Sequence, residues 1–229
     1  MNQKMFSRGA AAVAFAGMLA GCGGGPVALT VTTYTSDATF AVNSHLITGP
    51  TEAVLIDGQY FKGDADKVAA LVKASGKTLK AIVLTHAHPD HYLGLGALAA
   101  AFPGVPIQSL SEVVADFNAK APGVFAAQQK ALPAGSLPDK LATVTALPTQ
   151  TLQIDGETLE VRTFVDGEAE VSAVVYGARQ KMIFTGDHVY NRAYLWLAEC
   201  KIDAWKQNLA KLREVGTLDA VYPGHGAAL

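Results

Sequence analysis

From about residue 29 onward the chain alternates between two rhythms of apolar and polar positions. Short runs rich in β-branched and aromatic residues, Leu29–Thr35, Phe40–Ile47 and Ala53–Ile56, are divided by turn residues such as Gly49-Pro50 and predict strands. Asp64 then reads as the N-cap of a helix through Ser75, with Val68, Leu71 and Val72 at helical spacing and Gly76 as its stop. Leu79–Thr85 is a near-continuous apolar run that predicts a strand buried on both faces, and Leu93–Phe102 predicts a short helix ending at Pro103-Gly104. The alanine-rich middle, Ser111–Leu141, predicts two helices broken at Pro122-Gly123, with a loop at Leu132–Pro138, forming a helical layer and lid.

After Thr143 the strand rhythm resumes. Thr151–Ile154 and Glu157–Phe164 flank Asp155-Gly156, a two-residue hairpin turn, and Val171–Tyr176 and Lys181–Phe184 pair across Gly177–Gln180. Ile202, Trp205, Leu209 and Leu212 mark the buried stripe of an amphipathic helix, and a last strand, Asp219–Tyr222, runs into Pro223-Gly224-His225-Gly226. Strand-rich and helical blocks alternate twice, which suggests an α/β protein of two layered halves.

The first two dozen residues break this pattern. Lys4 and Arg8 precede an apolar stretch from Gly9 to Ala20, closed by the small residues of Leu19-Ala20-Gly21-Cys22. An apolar run of about 12 residues is too short for a mature bilayer span and suits a signal peptide. Leu-Ala-Gly-Cys resembles the bacterial lipoprotein signal, which implies cleavage before Cys22 and a lipid on its thiol; the alternative is an ordinary secretory signal with an incidental cysteine. Residues 1–22 are thus expected to be the signal, 23–29 a flexible tether and 30–229 one domain. The protein is expected at the bacterial cell envelope, membrane-anchored through lipid and facing the periplasm or exterior.

Charged residues make up only 17% of the chain and the formal net charge is −2. No block of Lys and Arg stands out, which argues against nucleic acid as a partner and leaves a small-molecule substrate. With Cys22 lipidated, Cys200 has no disulfide partner and reads as a small buried residue. Oligomeric state is not legible in these features.

The chemistry is concentrated in His86-Ala87-His88-Pro89-Asp90-His91, which holds three of the chain's six histidines directly after a buried strand. Imidazoles and a carboxylate are good ligands for borderline divalent ions. On a sharp turn, His86 and His88 can face one point while Asp90 and His91 face a second, the layout of a two-metal hydrolytic centre. The alternative is a solvated turn that binds metal adventitiously. Phe184-Thr185-Gly186-Asp187-His188 and Tyr222-Pro223-Gly224-His225-Gly226 are further strands that finish in ligand residues, the second with a histidine between two glycines.

With these three segments in order, the chain resembles the metallo-β-lactamase superfamily over about residues 30–229. The resemblance implies a four-layer αβ/βα sandwich with the site at one edge of the paired sheets. It implies that His86 and His88 hold a first metal, that Asp90, His91 and His225 hold a second, and that Asp187 bridges them. Asp57, in Leu55-Ile56-Asp57-Gly58, matches an aspartate that supports the site from behind the ligands. One position departs from the family. Where a third first-metal histidine usually stands, the stretch Asp166–Ser172 places Glu168, with Glu170 as the alternative. A carboxylate can replace imidazole on zinc and somewhat favours harder metals.

The function implied is a metal-dependent hydrolase with two divalent ions. Zinc is the expected ion, with iron or manganese as alternatives. A metal-activated hydroxide would cleave an ester, lactone, thioester or lactam, with Asp90 orienting it and passing a proton to the leaving group. Two alternatives remain: a single-iron dioxygenase of the same fold, or a binding lipoprotein with an incomplete metal site. His188, next to Asp187 on a strand, is expected to point away from the ligands. His45 is not expected to bind metal, and Tyr190, Tyr194 and Trp196 read equally as pocket wall or core.

Overall fold

The structure, a computed structural model, describes residues 27–36 and 41–229. Cys22 and the signal-like segment lie outside the described residues. Two mixed sheets dominate. The first has six strands in spatial order β1 (Thr30–Thr35), β2 (Asn43–Thr48), β3 (Glu52–Ile56), β4 (Thr78–Val83), β5 (Ile107–Ser109) and β6 (Thr145–Ala146). The first three strands run antiparallel and the last four pair in parallel. The second sheet has the order β11 (Ala220–His225), β10 (Met182–Tyr190), β9 (Val171–Gly177), β8 (Glu157–Val165) and β7 (Thr151–Ile154). Asp155 and Gly156 both have positive φ, as a two-residue hairpin turn between β7 and β8 requires.

The apolar pattern explains the layers. On β9, Ala173 and Val175 face the main core between the sheets, while Val174 and Tyr176 face a smaller cluster with Phe164, Ile183 and Leu212. That cluster seats α5 (Ile202–Arg213) on the outer face of the second sheet. The main core takes in Val68 and Val72 of α1 (Lys62–Ala74), Leu95 and Leu98 of α3 (Leu95–Ala101), and Val113, Phe117, Ala121 and Phe125 of α4 (Ser111–Ala131). The result is the αβ/βα arrangement.

Five details differ from the expectations. α4 is one continuous helix through Pro122-Gly123. The Pro122 ring lies on its exposed side, so the helix loses one backbone bond while its buried stripe at every fourth residue holds both halves to the core. The segment after it is pinned to its own layer: Ser136 accepts from Lys62 N–H and Leu137 is buried. Asp64 lies in the first turn of α1, where it accepts from Tyr34 Oη at 2.6 Å instead of capping the helix. Cys200 is exposed, on a loop between β10 and α5. Finally, β10 and β11 run on through the ligand residues; β11 tolerates Pro223 because it is an edge strand.

The two sheets touch at one rim. His86 bridges Ser172, Val42 bridges His225, and Ala173 N–H donates to Thr85 O at 2.7 Å. Every strand end named above for its chemistry reaches this rim.

Candidate metal centre

β3 and β4 end side by side, and the chain past each end builds the floor of the site. Asp57, at φ 62°, turns its carboxylate back toward β4. Its Oδ1 accepts from Thr85 N–H and its Oδ2 from Thr85 Oγ1, both at 2.8 Å, and Oδ2 also lies 2.8 Å from His91 Nδ1. Because the Thr85 hydroxyl gives its only proton to Asp57, it can only accept from His86 Nδ1, 3.0 Å away. Both rings are thereby held with Nδ1–H bonded behind and Nε2 turned forward, the orientation metal-binding imidazoles need. A one-turn helix, α2 (Pro89–Tyr92), opened by Pro89, carries Asp90 and His91 around the corner from His88.

Seven side chains meet in front of this floor in two groups. His86, His88 and Glu168 form one; Asp90, His91, Asp187 and His225 form the other. Within each, one ligand atom from every residue lies within 4.8 Å of the rest. In the first, Glu168 Oε1 is 2.8 Å from His88 Nδ1 and Oε2 is 3.4 Å from His86 Nε2. In the second, His225 Nε2 lies 3.1 Å from Asp187 Oδ2 and 3.2 Å from Asp90 Oδ2. His91 Nε2 lies 3.3 Å from Asp187 Oδ1 and 3.6 Å from Asp90 Oδ2. Asp187 also reaches the first group, 3.9 Å from His86 Nε2.

Five of these buried atoms are left without hydrogen bonds among the described residues. His86 Nε2, His91 Nε2, both Glu168 oxygens and Asp187 Oδ1 have no hydrogen-bond partner. Such orphans are expensive unless something else satisfies them. Convergent imidazole lone pairs and carboxylates fit divalent cations, so the residues present suit the ions that the fold implies.

Charge follows the same layout. Burial pushes Glu168 up to about 7, with the Asp187 charge adding to it, and holds His86 well below the ordinary imidazole value. Burial alone would lower His91 and His225 too, but the surrounding carboxylates outweigh it. His91 rises well above its ordinary value beside Asp187, Asp90 and Asp57, and His225 rises to about 10 through its bonds to Asp187 and Asp90. Asp187 stays well below the carboxylate range because those imidazoles overcome its burial. Without metal, protons do the work of cations.

The later strands are shaped around Asp187 and His225. A register shift in β10 at Gly186, φ 49°, re-aims Asp187 into the site. His188 points the other way, its ring 5.2 Å from Phe164 and beneath Gly167, and it takes no place in either group. Tyr190 donates to Asp187 Oδ2 at 2.7 Å and stacks flat on His225, 5.1 Å between centroids, so it is neither free pocket wall nor simple core. Asn43 Nδ2 donates to Pro223 O and Gly226 O, and His45 Nε2 lies 3.0 Å from Pro223 O, holding the His225 turn from behind. A Cβ on Gly224 would stand 1.8 Å from Asp187 Oδ1. Gly224→Ala should therefore push Asp187 aside and cut metal retention about 10–100-fold, as loss of supporting partners does elsewhere; competition with a chromophoric chelator reads this, and unchanged retention would refute it.

Glu168 comes from a tight turn between β8 and β9, closed by Asp166 N–H to Glu170 O and Gly167 N–H to Ala169 O. The turn buries Glu168 to 2% exposure and leaves Glu170 outside, paired with Lys120. Tyr194 and Trp196 stand exposed on the loop after β10. Thr85 and Asn43 are the supporting residues that sequence reasoning missed.

Residues 38–225 match the metallo-beta-lactamase superfamily. Over 66 residues, 29% of this chain, it is 41% identical to the uncharacterized protein YobT of Bacillus subtilis (strain 168), of whose length it spans 28%. Among solved structures, the B3 metallo-beta-lactamase BLEG-1 superposes with a TM-score of 0.67 at 20% identity, over 87% of this chain and 93% of that one. A metallo-beta-lactamase from Pontibacter korlensis gives 0.63 at 25% identity, over 87% and 88%. TTHA1623, described in a di-iron-bound form, gives 0.65 at 23% identity, over 87% and 94%. Sequence match and shared architecture agree, and the chain belongs to the metallo-beta-lactamase superfamily.

Proposed function

We propose that this chain is a metal-dependent hydrolase that cleaves an acyl bond, in an ester, lactone, thioester or lactam, of a small molecule. The observation that carries it is the pair of donor groups whose nitrogens and oxygens converge from four separate strand ends and turns, with His86 Nε2, His91 Nε2, both Glu168 oxygens and Asp187 Oδ1 buried without a hydrogen bond among the described residues. His86, His88 and Glu168 would hold one ion, Asp90, His91 and His225 another, and Asp187 lies between the two groups. Divalent ions there supply a water acidified toward neutral pH and a Lewis acid for an acyl oxygen. Zinc, iron and manganese all suit such donors. Asp90 is held ionised because His91 and His225 outweigh its burial, and its side chain is 14% exposed. In this reading its carboxylate would take a proton and return it to the leaving group. Asp57 and Thr85 fix the rings of His91 and His86, so donor positions need no reorganisation. Two donor groups favour two ions over the single iron of a dioxygenase. A screen of lactam, lactone and thioester substrates tests this: turnover of one class that a chelator abolishes is expected, and none from fully loaded protein would favour a binding role.

Metal uptake at neutral pH should release protons, because His225 and His91 hold theirs in the metal-free protein. A cation must displace them, so affinity should strengthen as pH rises toward 10 and weaken on acidification, most steeply for the Glu168 group below about 7. Calorimetry in buffers of different ionisation enthalpy checks this; identical heats would contradict it.

We also propose that Cys22 carries a lipid that holds the domain at the cell envelope, on the strength of Leu19-Ala20-Gly21-Cys22 after an apolar run. Cys22→Ser should move the protein from the membrane to the soluble fraction, and persistence at the membrane would refute it.

A further inference from the structure

The departure at residue 168 changes the balance of the whole centre. Around the shared Asp187, one group offers two imidazoles and Glu168, the other two imidazoles and Asp90. The spacing repeats as well. Glu168 lies 2.8 and 3.4 Å from its two imidazoles, and Asp90 lies 3.2 and 3.6 Å from His225 and His91. Among the described residues Glu168, buried, pairs with no group but those two imidazoles, while Glu170 is spent on Lys120. Three carboxylates face four imidazoles, more anionic oxygen than a third histidine in the first group would leave.

We propose that Glu168 makes the two halves of the centre alike and thereby shifts its selectivity from zinc toward a matched pair of oxygen-preferring ions, manganese(II) or iron(II). The physical reason is donor hardness. Carboxylate oxygen favours the harder ions, whereas imidazole suits zinc and its neighbours. The inference rests on the two-ion reading above.

Manganese and zinc serve as probes. The metal-free full chain, Glu168→His and Glu168→Gln are each offered equal manganese(II) and zinc(II), freed of excess and measured by elemental analysis. The ratio of bound manganese to zinc in the parent should exceed that in Glu168→His by on the order of tenfold. Glu168→Gln, of the same shape without the charge, should lose manganese more than zinc. Manganese-loaded parent protein should give the resonance spectrum of an exchange-coupled pair about Asp187, and Glu168→His, loaded identically, a smaller yield of that spectrum because its first group takes up less manganese. Equal ratios in parent and both variants, or uncoupled manganese in the parent, would overturn the proposal while leaving a two-ion centre intact. Failure of the parent to retain either metal would overturn both.

Discussion

Asp187→Ala is expected to abolish hydrolysis while leaving the fold standing. Among the described residues Asp187 is the only carboxylate within ion-pair distance of members of both donor groups, 3.9 Å from His86 and 3.1 and 3.3 Å from His225 and His91. Removing it takes one negative charge from between two cation sites and leaves Tyr190 Oη without its acceptor. A loss of at least ~10³ in turnover is expected, about 4 kcal/mol on the barrier, with metal content falling in parallel. The apolar part of β10, Met182 to Phe184, keeps its place between β9 and β11, so the metal-free variant should still melt as one folded domain, at a lower Tm than the metal-free parent because Tyr190, His91 and His225 lose their buried carboxylate. Turnover and elemental analysis check the first part and calorimetric melting the second. Full metal content with unchanged turnover would remove Asp187 from the centre.

Asp57→Ala should have the opposite emphasis and cost stability first. The carboxylate accepts from Thr85 N–H, Thr85 Oγ1 and His91 Nδ1, all buried. Alanine leaves these donors unmatched at the junction of β3 and β4, where each unsatisfied buried group costs about 1–3 kcal/mol. A loss of about 3 kcal/mol or more is expected, a fall in Tm on the order of 10 °C for a domain of this size. His91 would then be free to rotate, and metal affinity should drop about 10–100-fold. Thermal melts of metal-free protein and chelator competition separate the two effects. A variant as stable as the parent would show that Asp57 is a turn residue with no part in the site.

Much of this was legible in the chain because ligand chemistry and strand ends coincide. A buried apolar run that stops at His86 marks a rim without knowledge of any partner strand. Glycines on both sides of His225 mark a tight approach, and Gly224 makes room for Asp187. Glu168 stands out only against the family's pattern, by its spacing to Ser172 and with Glu170 as the alternative; the structure brings Glu168 to His86 and His88. What escaped depends on distant pairs. Thr85 matters only because its hydroxyl stands between Asp57 and His86, and Asn43 only because the His225 turn folds against β2. Pro122-Gly123 reads as a break, yet the buried stripe of Val113, Phe117, Ala121 and Phe125 overrides that local preference. Residue type alone predicts a buried Cys200, but it lies on a loop at φ 54° with its side chain exposed. Tertiary packing decides such cases, and a single sequence does not record it.

The most direct test of the central claim is the metal stoichiometry of the purified full chain, measured by elemental analysis after anaerobic loading and removal of excess ions. The centre of two donor groups about Asp187 predicts two divalent ions per chain, lost together in Asp187→Ala. A stoichiometry near zero in the parent, or an undiminished value in that variant, would contradict it.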